Sequence, residues 1–321
     1  MSLTSIPTAP TTASAEKHHS STPFLGLMEG DLEVAEAVLL PVPYEATTSY
    51  GQGTSGGPQA LLEASAYVEL YDEVRDGQPA VRSSPELGDP DSEALSRYWT
   101  ATAVEFPAAF EPAMEAIYQR AAELVRPGRL LLSLGGEHSV SFPLFKAHLE
   151  HYPDFHILQI DAHCDLRDAY EGSQLSHASV MARAVELVGS RITQVGIRSI
   201  CAEDRQAIRQ HGIKTFFAHS LQSKSRQDWI PEVIETLGER VYLTVDVDGL
   251  DPSVVPSTGT PEPGGLGWWD VVELIRAVGS QRQIIGADVM ELSVTGNPEL
   301  DRRSAFNVAK LSYQILAAAL G

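Results

Sequence analysis

Three short apolar runs in this chain, Leu130 to Leu134, Ile157 to Ile160 and Val241 to Val245, end directly in residues that belong in water or on a metal. The first leads to His138 in Leu-Gly-Gly-Glu-His-Ser. The second leads to Asp161, His163 and Asp165 in Asp-Ala-His-Cys-Asp, and the third to Asp246 and Asp248 in Asp-Val-Asp-Gly-Leu-Asp-Pro. Near-continuous apolarity over four or five residues marks a strand buried on both faces, the habit of a parallel sheet covered by helices. Ligands of such sheets gather at the carboxyl ends of the strands, so three strand ends are expected to deliver six ligand-type side chains to one crevice.

The rest of the chain supports that architecture. A strand is expected near Ala37 to Val42, then a Gly-rich loop, Ser49 to Gly57, and a helix from about Pro58. Apolar residues recur at helical spacing over Phe110 to Val125, and Pro127-Gly128 stops that helix. Further helices are expected over Phe142 to Leu149, His177 to Val188, Glu203 to Gln210 and Trp268 to Val278, with a strand over Ile192 to Arg198. A last strand, Gln283 to Leu292, precedes a helix over Arg303 to Leu320. Such alternation predicts one α/β domain over residues 26–321, built on a mainly parallel central sheet with helices on both faces. Residues 1–25 are rich in Ser, Thr, Pro and Ala with few large apolar side chains, so burial cannot offset their ordering entropy and a flexible arm is expected. That arm has neither the apolar run of a secretory signal nor the arginines of a mitochondrial presequence.

Charge and cysteine usage narrow the function classes. A formal net charge of −20 without Lys/Arg clusters argues against nucleic acid and favours a small cationic partner. Two cysteines, Cys164 and Cys201, cannot form a disulfide framework, and no apolar stretch is long enough to span a bilayer, so a reducing, cytoplasmic setting without membrane attachment is expected.

The ligand types define the chemistry. Carboxylates with imidazoles suit a divalent ion such as Mn²⁺, with Ni²⁺ and Co²⁺ accepted by the same donors, and the lack of thiolate pairs argues against a structural zinc site. In an extended segment residues i, i+2 and i+4 share a face, so Asp161, His163 and Asp165 are expected to point together, as are Asp246 and Asp248. Four aspartates carry a formal charge of −4, which two divalent ions balance; one ion would leave two buried carboxylates unpaired. Two metals about 3.5–4 Å apart and sharing carboxylates are therefore expected. Taken singly, each motif is more often a turn, a cap or a solvated face. Complementary ligands at equivalent ends of three strands are not.

At these residues the chain resembles the ureohydrolase family of arginases and agmatinases, over nearly its whole length after the arm. The matching stretches are Gly-Gly-Glu-His-Ser (135–139), Asp-Ala-His-Cys-Asp (161–165), Ser-His-Ala-Ser (176–179), Asp-Val-Asp-Gly-Leu-Asp-Pro-Ser (246–253), Thr-Gly-Thr-Pro-Glu-Pro-Gly-Gly-Leu (258–266) and Asp-Val-Met-Glu-Leu (288–292). The resemblance implies an arginase-like three-layer α/β/α sandwich, a pair of manganese ions, hydrolysis of a guanidino group to urea and an amine, and a homo-oligomer, trimer or hexamer. It also implies that His138, Asp161, Asp165 and Asp246 hold one metal and Asp161, His163, Asp246 and Asp248 the other. Asp165 would relay the proton of the attacking hydroxide, Glu291 would hold the guanidinium, His177 would carry protons to the leaving amine, and Thr260 would sit beside the guanidino group. Without the resemblance, His177 reads as a helix-start residue and Glu291 as a paired strand-end acid.

The substrate is expected to be agmatine, giving putrescine and urea. Arginases grip the amino-acid head group with an Asn and a Ser-Gly-Asn segment after the second metal motif, where this chain has Arg167 and Asp168; Cys201 stands where they have a further Asp. Glu262 after Thr-Gly-Thr-Pro is typical of agmatinase-like members. Arg167 near the mouth could instead grip a carboxylate bidentately, as guanidinobutyrate would offer, or could pair with Asp168 or Glu171. Other guanidino compounds, among them free guanidine and arginine, and amidines or amides such as formiminoglutamate are the alternatives. Ser49 to Gly57 lacks the Gly-Lys-Ser/Thr of a phosphate-binding loop; the resemblance implies instead that it shapes the pocket rim, and Cys164 is expected to pack rather than react.

Overall fold

Strand alternation sorts the apolar side chains of this chain into two cores, one on each face of a single sheet. The computed structural model describes residues 20–82 and 95–321. Its eight strands are β1 (Ala37–Val42), β2 (Tyr98–Thr100), β3 (Leu130–Gly135), β4 (His156–Ile160), β5 (Ile192–Ile197), β6 (Lys214–Phe217), β7 (Arg240–Asp246) and β8 (Gln283–Met290). They lie in the order β2-β1-β3-β8-β7-β4-β5-β6, and every pairing is parallel. Odd and even residues part company along each strand. Leu130, Leu132 and Leu134 of β3 enter one core with Leu158, Ile160, Leu243 and Val245, whereas Leu131, Ile157 and Tyr242 enter the other.

Helices close both faces. The first core is covered by α1 (Gly57–Ser65), α7 (Arg226–Ile234), α8 (Trp268–Gln281) and α9 (Pro298–Leu320), the second by α2 (Phe110–Leu124), α3 (Ser141–Leu149), α4 (Val180–Val188) and α5 (Ala202–His211); a one-turn α6 (Ala218–Leu221) follows β6. The expected three-layer sandwich is thus present, and the sheet is wholly parallel. Several boundaries differ from expectation. Helix α9 begins at Pro298 rather than Arg303, because Asn297 Oδ1 accepts the backbone N–H groups of Glu299 and Leu300 and Pro298 fits the first turn. His177 opens a 3₁₀ turn, His177–Ser179, before α4 rather than the helix itself.

The N-terminal arm expected over residues 1–25 lies outside the described residues up to position 19. Its last part is packed: the Ser20 N–H bonds to the Thr100 carbonyl, and Phe24 and Leu25 are buried in the first core, so ordered structure begins before residue 26. Among the described residues, no helix is long and apolar enough to cross a membrane.

Four adjacent strands of the sheet, β3, β8, β7 and β4, point their carboxyl ends at one place. The ligand motifs follow three of them and Glu291 follows the fourth. Two glycines allow the close approach at the end of β3. A Cβ on Gly135 would stand 1.8 Å from Met290 Sδ, and one on Gly136 would stand 1.9 Å from the Tyr44 carbonyl oxygen.

Candidate active site

Each ligand-type residue leaves its strand by a different route. His138 opens a 3₁₀ turn after β3, with its backbone N–H bonded to Glu291 Oε1 at 2.7 Å. Asp161, His163 and Asp165 lie beyond the end of β4, where Asp165 takes φ +52°, and Asp246 ends β7 with Asp248 in the next 3₁₀ turn. The expectation that simple strand alternation aligns these residues is therefore corrected. They converge because the chain leaves the strand and turns back on itself, held by local bonds from the His163 N–H to Asp161 Oδ1 at 2.6 Å and from the Asp248 N–H to Asp246 Oδ1 at 3.0 Å.

The convergence itself is complete. His138 Nδ1 lies 3.2 Å from Asp161 Oδ2, 3.2 Å from Asp165 Oδ2 and 3.3 Å from Asp246 Oδ2. His163 Nδ1 lies 3.1 Å from Asp248 Oδ2 and 3.7 Å from Asp161 Oδ1. Two sets of metal-ligand geometry result, His138 with Asp161 and Asp246, and Asp161 with His163 and Asp248. Asp161 belongs to both, one oxygen toward each histidine. Asp246 joins the first set only.

The protonation pattern identifies what the cluster lacks. His138 Nε2 lies 2.9 Å from Thr244 Oγ1, and that hydroxyl donates its one hydrogen to Asp288 Oδ1 at 2.6 Å. Thr244 is therefore the acceptor and Nε2 carries a hydrogen, which leaves Nδ1 as the position that takes either a second proton or a metal. That buried Nδ1 has no hydrogen-bond partner and faces three carboxylate oxygens. Lone pairs there would repel the three anions unless a proton or a metal cation lay between them, and against burial the three carboxylates raise His138 well above the ordinary imidazole value. Among the described residues no lysine or arginine pairs with Asp161, Asp165, Asp246 or Asp248. Burial, reinforced by neighbouring carboxylates, pushes Asp246 well above the usual carboxyl range and Asp165 upward. Burial opposes charge on His163, yet Asp248 and Asp161 raise it to about 12. A cluster that draws protons to itself in this way calls for positive charge, and its donor set fits divalent cations.

The cavity above the cluster is about 220 Å³ in volume and is lined by Ser49, His138, His163, Asp165, Arg167, Tyr170, His177, Asp204, Asp246, Thr260 and Glu291. Glu291 is held at φ +67°, with its N–H on the Gly136 carbonyl at 2.9 Å. Burial first, then Glu137, pushes its carboxyl well above the usual range. Thr260 Oγ1 donates to Asp248 Oδ2 at 3.2 Å, and Glu262 Oε1 lies 3.9 Å from His163 Nε2. Arg167 pairs with neither Asp168 nor Glu171. Its guanidinium lies over the Tyr170 ring at 4.8 Å, and Asp168 binds Arg183 at 2.7 Å. Cys164 is buried in the second core, as expected of a packing residue, and both cysteines are free.

Sequence reasoning passed over several residues that shape this site. Tyr170 and Asp204 line the cavity beside Ser49, whose loop is expected at its rim, and Thr244, Asp288, Thr47 and Glu137 orient its histidines. Arg198 ties two loops together by donating to the carbonyls of Asp248 at 2.6 Å and Glu262 at 2.7 Å. Glu137, inside Gly-Gly-Glu-His-Ser, and Asp288, first in Asp-Val-Met-Glu-Leu, carried a signal that could have flagged them: each is an acid within a motif that holds a candidate site residue.

A profile of the arginase family matches residues 35–318. The chain is 38% identical over 288 residues to an N(1)-aminopropylagmatine ureohydrolase of Synechocystis, with 88% of each chain covered. It is 32% identical to an agmatinase of Pyrococcus horikoshii over 89% of this chain and 93% of that one. Among solved structures it resembles an agmatine ureohydrolase of Thermoplasma volcanium with a TM-score of 0.78 and 26% identity, covering 96% and 97% of the two chains.

Proposed function

Because this chain belongs to the arginase family, we propose that its acidic, histidine-bearing cavity hydrolyses the guanidino group of agmatine to urea and putrescine. One observation carries the reading: the buried Nδ1 of His138, without a hydrogen-bond partner, faces three buried carboxylates beside a second His/Asp set that shares Asp161. His138, Asp161, Asp165 and Asp246 would hold one divalent ion, and Asp161, His163 and Asp248, with Asp246 by family resemblance, the other. Manganese leads on that resemblance, and nickel and cobalt suit the same donors. When bound, such a pair supplies Lewis-acid activation of water near neutral pH.

The chain's own groups do the rest. Glu291 offers a carboxylate raised by burial, and a guanidinium arriving beside it supplies the cation that such a group lacks. Thr260 already donates to Asp248, so its oxygen is left to accept a guanidino N–H. Asp165 lies among the ligands with its carboxyl raised, placed to take a proton from the attacking water. His177 also lines the cavity and carries a proton to the leaving nitrogen. Glu262, partly exposed, is placed to meet a cationic tail.

The far end of the cavity supports a substrate without an amino-acid head group. Both Asp204 oxygens are engaged by backbone N–H groups, those of Leu166 and Cys201, and Arg167 is stacked on Tyr170. Groups already engaged in this way grip an α-amine and an α-carboxylate less well than free ones would. A longer cation, agmatine extended by an aminopropyl group, is the second reading, favoured by the higher identity to the Synechocystis relative. The free cysteines support a reducing, cytoplasmic setting. The test is urea release by Mn²⁺-loaded protein from agmatine, aminopropylagmatine, guanidinobutyrate, arginine and guanidine. Agmatine or its aminopropyl derivative should exceed the others at least about tenfold in kcat/KM. Equal or faster turnover of arginine or guanidinobutyrate would reject the substrate assignment.

A further inference from the structure

Glu137 directly precedes a ligand histidine and is fully buried, yet its hydrogen bonds run to the loop after β1 and to Ser139. The backbone N–H groups of Ala46 and Thr47 both donate to Oε2 at 2.6 Å, and the hydroxyls of Thr47 and Ser139 both donate to Oε1 at 2.6 Å. Thr47 then reaches His177. Its Oγ1 accepts the His177 backbone N–H at 3.0 Å and lies 3.3 Å from His177 Nδ1.

Counting hydrogens settles the direction of that last contact. A threonine hydroxyl has one hydrogen and two lone pairs. A 2.6 Å bond to a carboxylate is charge-assisted and outcompetes a 3.3 Å contact to a neutral ring nitrogen, so the hydrogen goes to Glu137. The two lone pairs then accept from the His177 backbone and from its Nδ1. A neutral imidazole has one N–H, which must sit on Nδ1, and the lone pair is left on Nε2. That nitrogen lies 3.4 Å from the Ser49 hydroxyl, on the cavity side of the ring. The edge of Tyr170, with ring centroids 5.9 Å apart and planes at 87°, restricts rotation.

We propose that Glu137 and Thr47 are positioning residues that hold His177 in its Nδ1–H tautomer, so that Nε2 is the nitrogen that takes up and releases the proton of the reaction. The proposal rests on His177 being the proton carrier of the hydrolysis argued above. Nε2 gains the proton that Asp165 has taken from the attacking water: the water O–H bond breaks, the carboxyl holds the proton in passing, and an N–H bond forms as the carboxyl O–H breaks. The resulting imidazolium keeps its Nδ1–H on Thr47. As the carbon–nitrogen bond of the substrate breaks, its electron pair stays on the leaving amine, which takes the Nε2 proton, and the ring returns to the Nδ1–H form. In the opposite tautomer Nε2 would already carry a hydrogen and have no place for the proton.

The ring nitrogens can be read directly. In metal-free protein labelled with ¹⁵N-histidine, with His177 assigned by its loss in His177→Asn, Nδ1 should show a protonated and Nε2 an unprotonated nitrogen shift above the ring's titration. Thr47→Ser should keep that pattern, and Thr47→Val, close in shape but without the hydroxyl, should give a mixture of tautomers. In Mn²⁺-loaded protein, Thr47→Val and Glu137→Gln should lower kcat for urea release about 100-fold with KM within about twofold, on the scale of general acid–base catalysis. Thr47→Ser should stay within about threefold of the parent. A protonated Nε2 in the parent, or an unchanged tautomer in Thr47→Val, overturns the proposal. Should Glu137→Gln fail to fold, the two Thr47 variants decide alone. Absence of urea from every guanidino compound would overturn the hydrolase reading while leaving the tautomer result intact.

Discussion

A threonine hydroxyl has one hydrogen to give, and two histidines of this site sit against threonines that have already given it to a buried carboxylate. Thr244 donates to Asp288 and so accepts from His138 Nε2; Thr47 donates to Glu137 and so accepts from His177 Nδ1. The device is the same and the outcome opposite, because different ring nitrogens meet the hydroxyl: His138 is left with Nδ1 free among the carboxylates, His177 with Nε2 free toward the cavity. Removing the Thr244 acceptor leaves His138 able to place its hydrogen on Nδ1, where the proposed metal would bind. Thr244→Val should therefore weaken metal affinity about 10–100-fold, the usual effect of losing such a support, as measured by competition with a fluorescent chelator. An unchanged affinity would show that the tautomer does not depend on Thr244. His163 falls in only one of the two candidate ligand sets. His163→Ala should lower bound manganese from two equivalents to one, read by elemental analysis, with kcat reduced by at least about 100-fold; two retained equivalents would remove His163 from the ligand set.

At the scale of elements, the site exists because β3, β8, β7 and β4 end side by side, and the tightest point of that arrangement is the Gly135-Gly136 turn. Gly136 donates to the Val42 carbonyl at 2.9 Å and accepts from the Glu291 N–H at 2.9 Å, so it joins the ends of β1, β3 and β8. Gly136→Ala drives a methyl group against the Tyr44 backbone, which has no flexible atom to move aside. The variant should lose about 1–3 kcal/mol of stability, as overpacking does, and at least about 100-fold in turnover through displacement of His138 and Glu291. Gly30→Ala, whose added methyl meets nothing within 4 Å, should stay within about 0.5 kcal/mol. Equal thermal melts for both would mean that the clash relaxes freely. The central strands were legible in the sequence because burial on both faces writes an unbroken apolar run, as in Leu130 to Leu134. The edge strands were not. Tyr98–Thr100 is three residues long, and Lys214–Phe217 is partly exposed, so neither carries a pattern that outweighs its surroundings. Helix α7 was hidden by Pro231 inside it. Candidate ligands were legible because three motifs set complementary Asp and His residues at equivalent strand ends, and the fold brings those residues together. Their geometry was not, since Asp165 at φ +52° and the 3₁₀ turn at Asp248 depend on tertiary contacts.

For the whole molecule, acid response separates groups that the fold treats in opposite ways. His148 lies at the centre of the second helix layer, fully buried, its Nδ1 on the Leu144 carbonyl at 2.9 Å and its ring edge-on to Tyr242 at 4.8 Å. Gly286 of β8 has no side chain where a Cβ would come within 2.2 Å of His148 Nε2. That Nε2 has no hydrogen-bond partner, and burial lowers the His148 pKa to about 4. The unfolded chain binds a proton here near pH 6.5 while the folded chain does not. Stability from the neutral ring is therefore fully present above about pH 6.5 and is lost as pH falls toward about 4, by about 3 kcal/mol over that window. Asp72 is buried too, but its carboxyl is held below the usual range, against burial, by the backbone N–H groups of Arg75 and Val74 and by the Arg276 guanidinium, so its contribution is lost only at more acid pH. In metal-free protein the raised His163 acts with the opposite sign, contributing stability that is full below about pH 6.5 and lost as pH rises toward about 12. The two effects separate in a difference experiment, because the ligand cluster is common to the parent and to His148→Gln. Denaturant unfolding of both metal-free proteins between pH 7 and pH 4 should give curves that converge as the pH falls, the parent losing about 3 kcal/mol more than the variant. Parallel curves would mean that His148 takes up its proton inside the folded core without penalty, and that the packing of the second layer around Tyr242 is looser than its buried geometry implies.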